Sequence, residues 1–329
     1  MKIVNLCFHD SGGGAYTLSH AINKLTKHKA INLRSTGDYL RFPTIASMGN
    51  YTVTECRNMV YKADVIVYHT VVKPYFIGLS LDQGLIRDKK NILFFHGGDL
   101  RHLGEDIKKE ADESLENYQI LVSTADLLWH APKGAKWLPT ARSFSEIRRR
   151  YGLCNQDRRA LRTFIKAKKK VMLSHAPTGE YKKGSNLFYR VITQIVKTLP
   201  YVSFKPIRHQ PWANVLRILP DVDVMFDSNP PEGVETTYGN IAVEASILKI
   251  PTVTKLTKRT LELLKSETGL DSPFVTFDDE EDLLGKVLML AENEKLRRII
   301  GNKAYRYCKA VHDEKPVVER FLKIVGQMR

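Results

Sequence analysis

Two glycine-rich turns in the first half of this chain carry charged or imidazole side chains, and each follows an apolar run. The first turn contains Gly13 and Gly14, where the missing side chains let backbone N–H groups approach a phosphate or a sugar closely. The second contains His96 and Asp99, an imidazole and a carboxylate at the end of a run that we expect to be buried. We interpret this pair as candidate catalytic groups. The alternatives are a simple tight turn for the first and a helix N-cap at Asp99 for the second.

A third turn, in the second half of the chain, begins at His175 and ends in Lys182-Lys183-Gly184. A lysine beside a glycine at the start of a helix suits a diphosphate, because the helix N-terminus and the ammonium group both favour negative charge. The alternative for the two lysines is ordinary surface charge.

A fourth turn runs from Glu235 into an apolar helix predicted to begin near Asn240. N–H groups near Gly239 and Asn240 are expected to point at an anion. Glu244 lies about one turn into that helix and is placed to accept hydrogen bonds from ribose hydroxyls. A carboxylate in so apolar a helix start needs a partner, because its burial otherwise costs stability.

The elements that position these turns follow from the apolar pattern. Runs without period-two alternation predict strands of a parallel sheet that is buried on both faces. The predicted strands are Lys2–Phe8, Ala30–Leu33, Val65–His69, Asn91–His96, Gln119–Ser123, Trp137–Leu138, Val171–Ser174, Val202–Pro206, Val222–Phe226, Pro251–Thr254 and Phe274–Thr276. Predicted helices are Tyr16–Lys27, Tyr51–Ala63, Ser185–Thr198, Ala213–Leu219, Asn240–Leu248 and Glu281–Asn293. This alternation predicts an α/β protein with two doubly wound halves, whose ligands bind at the carboxyl ends of the strands, where all four turns fall.

The chain length of 329 residues allows two domains, each with a core of its own. We predict a first domain at 1–155, a basic linker at 156–169, a second domain at 170–310 and a terminal helical segment at 311–329. From Arg148 to Lys170 the chain has many basic residues and one acid, Asp157. This cluster is interpreted as a solvated linker helix, or alternatively as a contact with an anionic surface.

The composition narrows the class of protein. A hydrophobic fraction of 43% and a charged fraction of 26% are ordinary for a globular protein, and the net charge of +15 favours anionic partners. Four well-separated cysteines suggest neither a disulfide framework nor a zinc site. The N-terminus is interpreted as a strand, not as a signal peptide, and no apolar run is long enough to span a membrane. We therefore expect a cytoplasmic protein, with a peripheral position at a membrane as the alternative.

Several segments together resemble the retaining GT-B glycosyltransferases of family 4, the glycogen-synthase-like group. The turn His-Gly-Gly-Asp-Leu-Arg at 96–101 is similar to the family's His-Gly-x-Asp-x-Arg turn. The segment 122–139 resembles the family's later N-domain strand and loop, and 175–184 resembles a variant with His-Ala-Pro before Lys-Gly. The most specific match is 238–253, which resembles the block Phe-Gly-x-x-x-x-Glu-Ala-x-x-x-Gly-x-Pro-Val.

The resemblance implies two Rossmann-like domains that face each other across a cleft, the N-domain for the acceptor and the C-domain for a nucleotide-diphosphate sugar. It implies that the helix around Val317–Val325 returns to the N-domain, and that the sugar is transferred with retention. No metal and no cofactor are expected, because helix N-termini and basic side chains stabilise the leaving diphosphate. The expected acceptor is a carbohydrate, a lipid-linked molecule or a protein. The candidate catalytic residues are His96, Glu235 and Asp99, and the candidate binding residues are Gly13, Gly14, His175, Lys182, Lys183, Thr236, Thr237, Tyr238, Gly239, Asn240 and Glu244.

The sequence departs from the family pattern at three places, one of which is that the family's arginine in the phosphate-binding loop has no clear match at 175–181. Of the family's two glutamates, the second corresponds to Glu244, whereas the first corresponds to Thr236, with Glu235 one residue out of register. Either Glu235 reaches the sugar through a shifted loop, or backbone groups hold the sugar. Lys249 and Ile250 stand where the family has glycine before Pro-Val.

Other functions remain open from the sequence. The chain is alternatively another GT-B sugar-nucleotide enzyme, such as an epimerase, or a binder without turnover. A nucleic-acid-binding protein is the alternative that charge alone suggests. It is less favoured, because the sequence has no aromatic-interleaved basic motif, helix-turn-helix pattern or zinc spacing. No specific nucleic-acid partner is therefore expected.

Overall fold

The structure is a computed structural model that describes residues 1–10, 12–36, 40–69, 79–97, 100, 118–152, 170–177, 181 and 183–328. The chain forms two compact units, one of Met1–Ser143 with His312–Arg329 and one of Phe144–Val311. The predicted basic linker at 156–169 lies outside the described residues.

Each unit has a sheet in which every described pair of neighbouring strands is parallel. The first unit contains β1 Lys2–Cys7, β2 Lys29–Arg34, β3 Ala46–Ser47, β4 Val65–His69, β5 Lys90–Phe95, β6 Tyr118–Val122 and β7 Lys136–Trp137, in the order β3-β2-β1-β4-β5-β6-β7. The second contains β8 Val171–His175, β9 Val202–Pro206, β10 Val224–Phe226 and β11 Thr252–Val253, in the order β11-β10-β8-β9.

Helices connect most of these strands. In chain order they are α1 Gly14–Leu25, α2 Val53–Tyr61, α3 Gln83–Ile86, α4 Phe144–Ile147, α5 Ser185–Thr198, α6 Trp212–Ile218, α7 Asn240–Ile247, α8 Lys258–Thr268, α9 Glu280–Glu292, α10 Glu294–His312 and α11 Glu314–Gln327. Several begin at side chains that satisfy the free N–H groups of the first turn. Thr52 and Glu55 form a capping box at α2, and Thr257 and Asp279 cap α8 and α9. No helix among the described residues is both long and apolar enough to cross a membrane.

The first sheet is covered on both faces. One face packs apolar strand residues such as Ile3 and Val65 against Leu18 of α1 and Phe321 of α11. The opposite face packs strand residues against Val60 and neighbouring residues of α2 and α3. This arrangement explains why the strands are apolar without alternation, and it confirms the predicted doubly wound α/β class.

The second unit has its own core. Val171, Val224 and Phe226 of the sheet pack against Phe188 of α5 and Leu283 of α9. The predicted strand Phe274–Thr276 is represented by one isolated bridge, between Val253 and Val275. Because the strands of each sheet are parallel, their carboxyl ends and the loops that follow lie at one edge of that sheet.

Candidate functional site

The glycine turn after β1 is organised by a buried carboxylate. Asp10 is 4% exposed, and its two oxygens accept hydrogen bonds from the N–H groups of Ala15 (3.0 Å) and Tyr16 (2.8 Å) at the start of α1. Burial raises the pKa of Asp10, partly offset by these two hydrogen bonds and by the charge of Arg142. These two N–H groups at the start of α1 therefore bind the carboxylate of Asp10, a residue of the chain itself.

Gly13 and Gly14 are required by close packing in this turn. Gly13 has a φ of 68°, and a Cβ there would overlap the ring of Phe42. A Cβ on Gly14 would lie 2.8 Å from Cε1 of His96. The structure thus brings together the two turns that lie far apart in the sequence, with Gly14 against the imidazole of His96.

His96 is the end of a chain of hydrogen-bonded polar side chains. Its Nε2 lies 2.8 Å from Nδ1 of His69, whose Nε2 lies 2.9 Å from Oδ1 of Asn5. Asn5 in turn donates from Nδ2 to Oγ of Ser19, at 2.8 Å. His69, Asn5 and Ser19 are buried, whereas His96 is half-buried. We call these four residues the His96 relay.

The partners of the His96 relay determine its tautomers. Burial, and then the neighbouring His96, hold the pKa of His69 well below its ordinary value, so His69 is neutral at pH 7. Its Nε2 donates to the amide oxygen of Asn5, which leaves Nδ1 as the acceptor for the Nε2–H of His96. A neutral His96 then carries its lone pair on Nδ1. Asp99, the carboxylate predicted beside it, lies outside the described residues.

In the second unit, His175 is a core residue. It is 0% exposed, its Nδ1 lies 2.9 Å from the carbonyl oxygen of Phe226, and its Nε2 lies 2.8 Å from Oγ of Ser185. The imidazole links β8, β10 and the start of α5. Because both nitrogens are engaged within the unit, the role that the structure supports for His175 is to hold the turn, not to contact a ligand directly.

Lys183 and Gly239 meet at a buried carboxylate, Asp227. Lys183 Nζ lies 2.9 Å from Oδ1 of Asp227, which is 0% exposed, and the Gly239 N–H donates to Oδ2 at 2.5 Å. A Cβ on Gly239 would lie 2.8 Å from both Asp227 Oδ1 and Lys183 Nζ. The anion that binds the Gly239 amide is thus the carboxylate of Asp227, and Lys183 neutralises its charge. Lys182 lies outside the described residues.

A cavity of about 680 Å³ lies at the carboxyl ends of β8, β10 and β11. Its wall includes the N-terminal turn of α5, the loop after β10 and the loop after β11. The lining residues are Tyr181, Gly184, Ser185, Asn186, Leu187, Arg190, Asn229, Pro230, Pro231, Glu232, Gly233, Val234, Glu235, Thr236, Lys255 and Thr257. Gly184 precedes α5 in a left-handed conformation, with a φ of 57°.

Glu235 and Thr236 are the two predicted site residues of the fourth turn that line this cavity. The Glu235 carboxylate accepts hydrogen bonds from the Thr257 hydroxyl at 2.8 Å and from Arg259 at 3.0 Å. Thr257 and Arg259 belong to the start of α8, so that helix fixes the carboxylate. The described geometry therefore places both candidates for the sugar contact, the shifted glutamate and the threonine, at one cavity.

The buried carboxylate of Glu244 has a hydrogen-bond partner in Trp212. It is 4% exposed, and its Oε1 accepts a hydrogen bond of 2.8 Å from the indole Nε1–H of Trp212, the first residue of α6. Thr237 and Tyr238 are buried; Tyr238 packs against Phe274 and Tyr307. Asn240 is half-buried as the first residue of α7.

Sequence reasoning missed His69, Asp227 and Trp212. His69 is the last residue of a correctly predicted strand, and Asp227 follows another directly. Polar residues at these strand ends were therefore a usable signal, but the predicted site rested on turns that contain glycine. Trp212 offered no such signal, because its partner Glu244 lies 32 residues away in the sequence.

Neither a family model nor a curated protein sequence matches the chain. Solved structures do match over nearly its whole length. HepE from Anabaena, in complex with UDP and glucose, has a TM-score of 0.65 at 12% identity, over 99% of this chain and 100% of HepE. Sucrose-phosphate synthase from Thermosynechococcus elongatus has a TM-score of 0.60 at 10% identity, over 99% of both chains. UDP-GlcNAc 2-epimerase from Neisseria meningitidis, bound to UDP-GlcNAc, has a TM-score of 0.54 at 13% identity, over 98% of this chain and 100% of the epimerase.

At these identities the similarity shows the fold. The chain has the GT-B fold of nucleotide-sugar glycosyltransferases, as the sequence predicted.

Proposed function

We propose that this chain is a glycosyltransferase that moves a sugar from a nucleotide-diphosphate sugar to an acceptor, with retention and without a metal ion. The observation that carries the proposal is the cavity at the carboxyl ends of the second sheet, in a chain with the GT-B fold. Its volume of about 680 Å³ falls within the range usual for small-molecule sites. Open parallel sheets bind ligands at this edge.

The diphosphate of the donor is proposed to lie against the N-terminus of α5. Ser185 and Asn186 of that first turn line the cavity together with the side chains of Lys255 and of Arg190, whose guanidinium is paired with Glu280 at 2.6 Å. A helix N-terminus and the ammonium group of Lys255 favour the negative charge that develops on a leaving diphosphate. This combination supplies the stabilisation that many other transferases obtain from a divalent ion, and it supports the metal-independent reaction. No cofactor besides the donor co-substrate is part of the proposal.

Activity in excess chelator tests this part of the proposal. Turnover measured with EDTA should equal turnover measured with added magnesium. Loss of turnover in EDTA, restored by magnesium or manganese, contradicts it.

Glu244 is proposed to bind the ribose of the donor, supported by its place about one turn into α7 and by the fixed orientation that Trp212 gives its carboxylate. Loss of a charged acceptor typically costs about 1.5–3 kcal/mol, or roughly 10- to 150-fold in affinity. Glu244→Gln should therefore weaken binding of the nucleoside diphosphate and of the intact donor by similar factors.

A thermal-shift screen against nucleoside diphosphates and nucleotide sugars, followed by product analysis, tests the function as a whole. A ligand at 100 times its dissociation constant adds about 2.7 kcal/mol to the stability of the folded state. UDP and UDP-sugars come first in the screen, because HepE has the same fold and was solved with UDP and glucose. If no nucleotide stabilises the protein, the proposal is wrong.

The second candidate is an epimerase, which the similarity to UDP-GlcNAc 2-epimerase favours. Incubation with the stabilising donor separates the two. A transferase releases nucleoside diphosphate and forms a glycoside, whereas an epimerase yields an isomeric sugar. A binder gives stabilisation without either product. The proposed acceptor is a carbohydrate, a lipid-linked molecule or a protein, and the proposed location is the cytoplasm.

A further inference from the structure

Three cationic groups surround one aromatic ring in the second unit. Arg148 Cζ, Lys249 Nζ and Lys309 Nζ lie 5.0, 5.6 and 5.9 Å from the ring centroid of Tyr305. Attraction to the ring face is modest at exposed sites and is opposed by the mutual repulsion of three like charges. Within the described ranges, none of the three cations forms an ion pair. In the part of the chain that the structure describes, the cluster therefore lacks an internal anion.

Lys249 occupies a backbone position that suits glycine better. It has a φ of 62° and follows α7, where the Ile250 N–H donates to the carbonyl of Ala245 at 3.0 Å. Glycine is the usual residue at this left-handed position after a helix, because a Cβ is unfavourable there. The chain thus keeps a cation beside Tyr305 at a position where glycine would stabilise the fold. The charge of Lys249 is therefore a candidate for a role in binding, because folding does not require it.

Helix α10 extends this positive charge along its surface. It contains six lysines and arginines and a single acid, Glu294. At 3.6 residues per turn, its exposed cations lie within one half of the helix circumference, the half that includes Tyr305. These exposed cations are Lys295, Arg298, Lys303, Arg306 and Lys309.

Other helices of the chain pair lysines with acidic residues. Lysines are paired with acids four residues away at Lys258–Glu262 in α8, Asp282–Lys286 in α9 and Lys315–Glu319 in α11. An ordinary solvated face carries both signs in this way. The exposed side of α10 therefore differs from an ordinary solvated helix.

We propose that this side of the second unit docks on an acidic phospholipid bilayer. We call it the α10 face and define it as Arg148, Lys249, Lys295, Arg298, Lys303, Arg306 and Lys309. Charge complementarity with the headgroup phosphates is the main argument, since clustered basic residues bind anionic leaflets. Ile299, 44% exposed, lies on the same side of α10. An apolar side chain among cations suits the boundary between headgroups and acyl chains. The phosphate backbone of a nucleic acid offers no matching apolar layer.

The proposal is independent of the proposed transfer reaction. It places the contact on α10 and Lys249, whereas the sequence suggested only the basic segment from Arg148 to Lys170. Each basic residue near an anionic leaflet strengthens binding about fivefold, so three together contribute roughly 100-fold.

Co-sedimentation of the full chain with phosphatidylcholine vesicles, with and without phosphatidylserine, tests it. Wild-type protein should sediment with the acidic vesicles only, and added salt should weaken the binding. The triple variant Arg298→Gln/Lys303→Gln/Arg306→Gln should bind about 100-fold more weakly. The matched control, Lys62→Gln/Lys197→Gln/Lys323→Gln, removes the same charge from other exposed lysines that form no ion pair within the described residues, and it should retain most of the affinity.

Lys249→Gly provides a second, opposing readout. This variant should raise the melting temperature, because glycine relieves the left-handed conformation, and should bind acidic vesicles about fivefold more weakly. A damaged fold cannot produce that combination. Equal binding to neutral and acidic vesicles, or an equal loss in both triple variants, overturns the proposal. So does retention on duplex DNA at physiological ionic strength that only the α10 face triple abolishes, because the occupant is then a nucleic acid.

Discussion

At the scale of single residues, the candidate site depends on polar side chains whose partners fix their chemistry. The His96 relay shows this for an imidazole. His96 faces Gly14 on one side, and on the other its Nε2 is held 2.8 Å from a buried, neutral His69. Orientation and tautomer are therefore set before any ligand binds, which is the arrangement expected of a group that acts on a substrate.

The first prediction concerns His96→Ala. Because the ring is half-buried and lies at the turn, its loss should lower turnover by roughly 10- to 150-fold, the range for one strong hydrogen bond, with a smaller effect on unfolding. Steady-state kinetics and urea unfolding of the same preparation measure both effects. A variant that unfolds easily but whose folded fraction turns over normally shows that His96 is only a packing residue.

The variant His69→Phe tests whether the orientation of His96, and not only its presence, matters for turnover. It leaves His96 in place, keeps a ring in the core and removes the acceptor that fixes the His96 tautomer. We expect turnover to fall and its pH profile to shift, together with a stability cost of about 1–3 kcal/mol, because Oδ1 of Asn5 loses the donor that His69 supplies. An unchanged pH profile indicates that His69 supports the fold alone.

The second prediction concerns the cavity residues Glu235 and Thr236. If the glutamate acts on the sugar, Glu235→Gln should collapse turnover while nucleoside diphosphate affinity stays intact, and Thr236→Val should have little effect. Arg259→Gln is the matched control, because it removes the ion-pair partner and leaves the carboxylate. Exposed pairs contribute little to stability, so all three variants should fold. If neither Glu235→Gln nor Thr236→Val alters turnover, the sugar does not contact this loop.

Residue types alone could not separate site from core. The sequence predicted correctly that Glu244 needs a partner, but it also proposed His175 and Tyr238 as binding residues, and the structure places both in the core. A polar side chain at a strand end points either to the ligand edge or into the unit. Its direction depends on contacts between strands and helices, such as that of His175 with Ser185. Such contacts form only when the elements pack together, so the sequence pattern does not indicate them.

At the scale of elements, the apolar pattern was sufficient for the sheets. Val65–His69, Val202–Pro206 and Ser185–Thr198 have the predicted bounds. Strands buried on both faces and helices with a strong apolar stripe leave clear traces in the sequence. The helices Lys258–Thr268 and Glu294–His312 were missed, because their many charged residues obscure the apolar positions.

The third prediction concerns the start of α5. Gly184 is in the left-handed region, and a Cβ there would overlap the carbonyl of Asn229. Gly184→Ala should destabilise the protein by more than the roughly 1–2 kcal/mol that the backbone conformation alone costs, and should weaken donor binding through a displaced helix N-terminus. The control is Gly285→Ala within α9, where a Cβ meets nothing within 4 Å. That variant should be stabilised by about 0.5–1 kcal/mol, as measured by urea unfolding.

At the scale of the whole molecule, the chain leaves the first unit after Ser143 and returns to it at His312. The returning segment is fixed by polar contacts. His312 Nδ1 lies 3.1 Å from the carbonyl oxygen of Thr140, and Glu314 at the start of α11 accepts from Lys24 at 2.5 Å. The sequence predicted a terminal helical segment from 311, but it gave no sign that a buried histidine lies at its start.

The last prediction is that His312 makes the first unit sensitive to acid. Burial is the main cause that lowers its pKa from 6.5 to about 4, and the charges of Arg142 and Arg320 add to it. Between these two values the unfolded chain binds a proton that the folded chain does not, so stability falls as the pH falls. At 1.36 kcal/mol per pKa unit, the loss reaches about 3 kcal/mol near pH 4. The depressed pKa of His69 acts in the same direction.

His312→Gln tests this linkage, because glutamine can still donate to Thr140 but does not titrate. Urea unfolding from pH 7 to pH 4, followed by tryptophan fluorescence, to which Trp137 beside His312 contributes, should give a shallower loss of stability in the variant than in the wild type. At pH 7 the variant should be the less stable of the two, since it loses the packing of the imidazole against Trp137. Equal slopes in both proteins mean that His312 is not the source of the acid sensitivity.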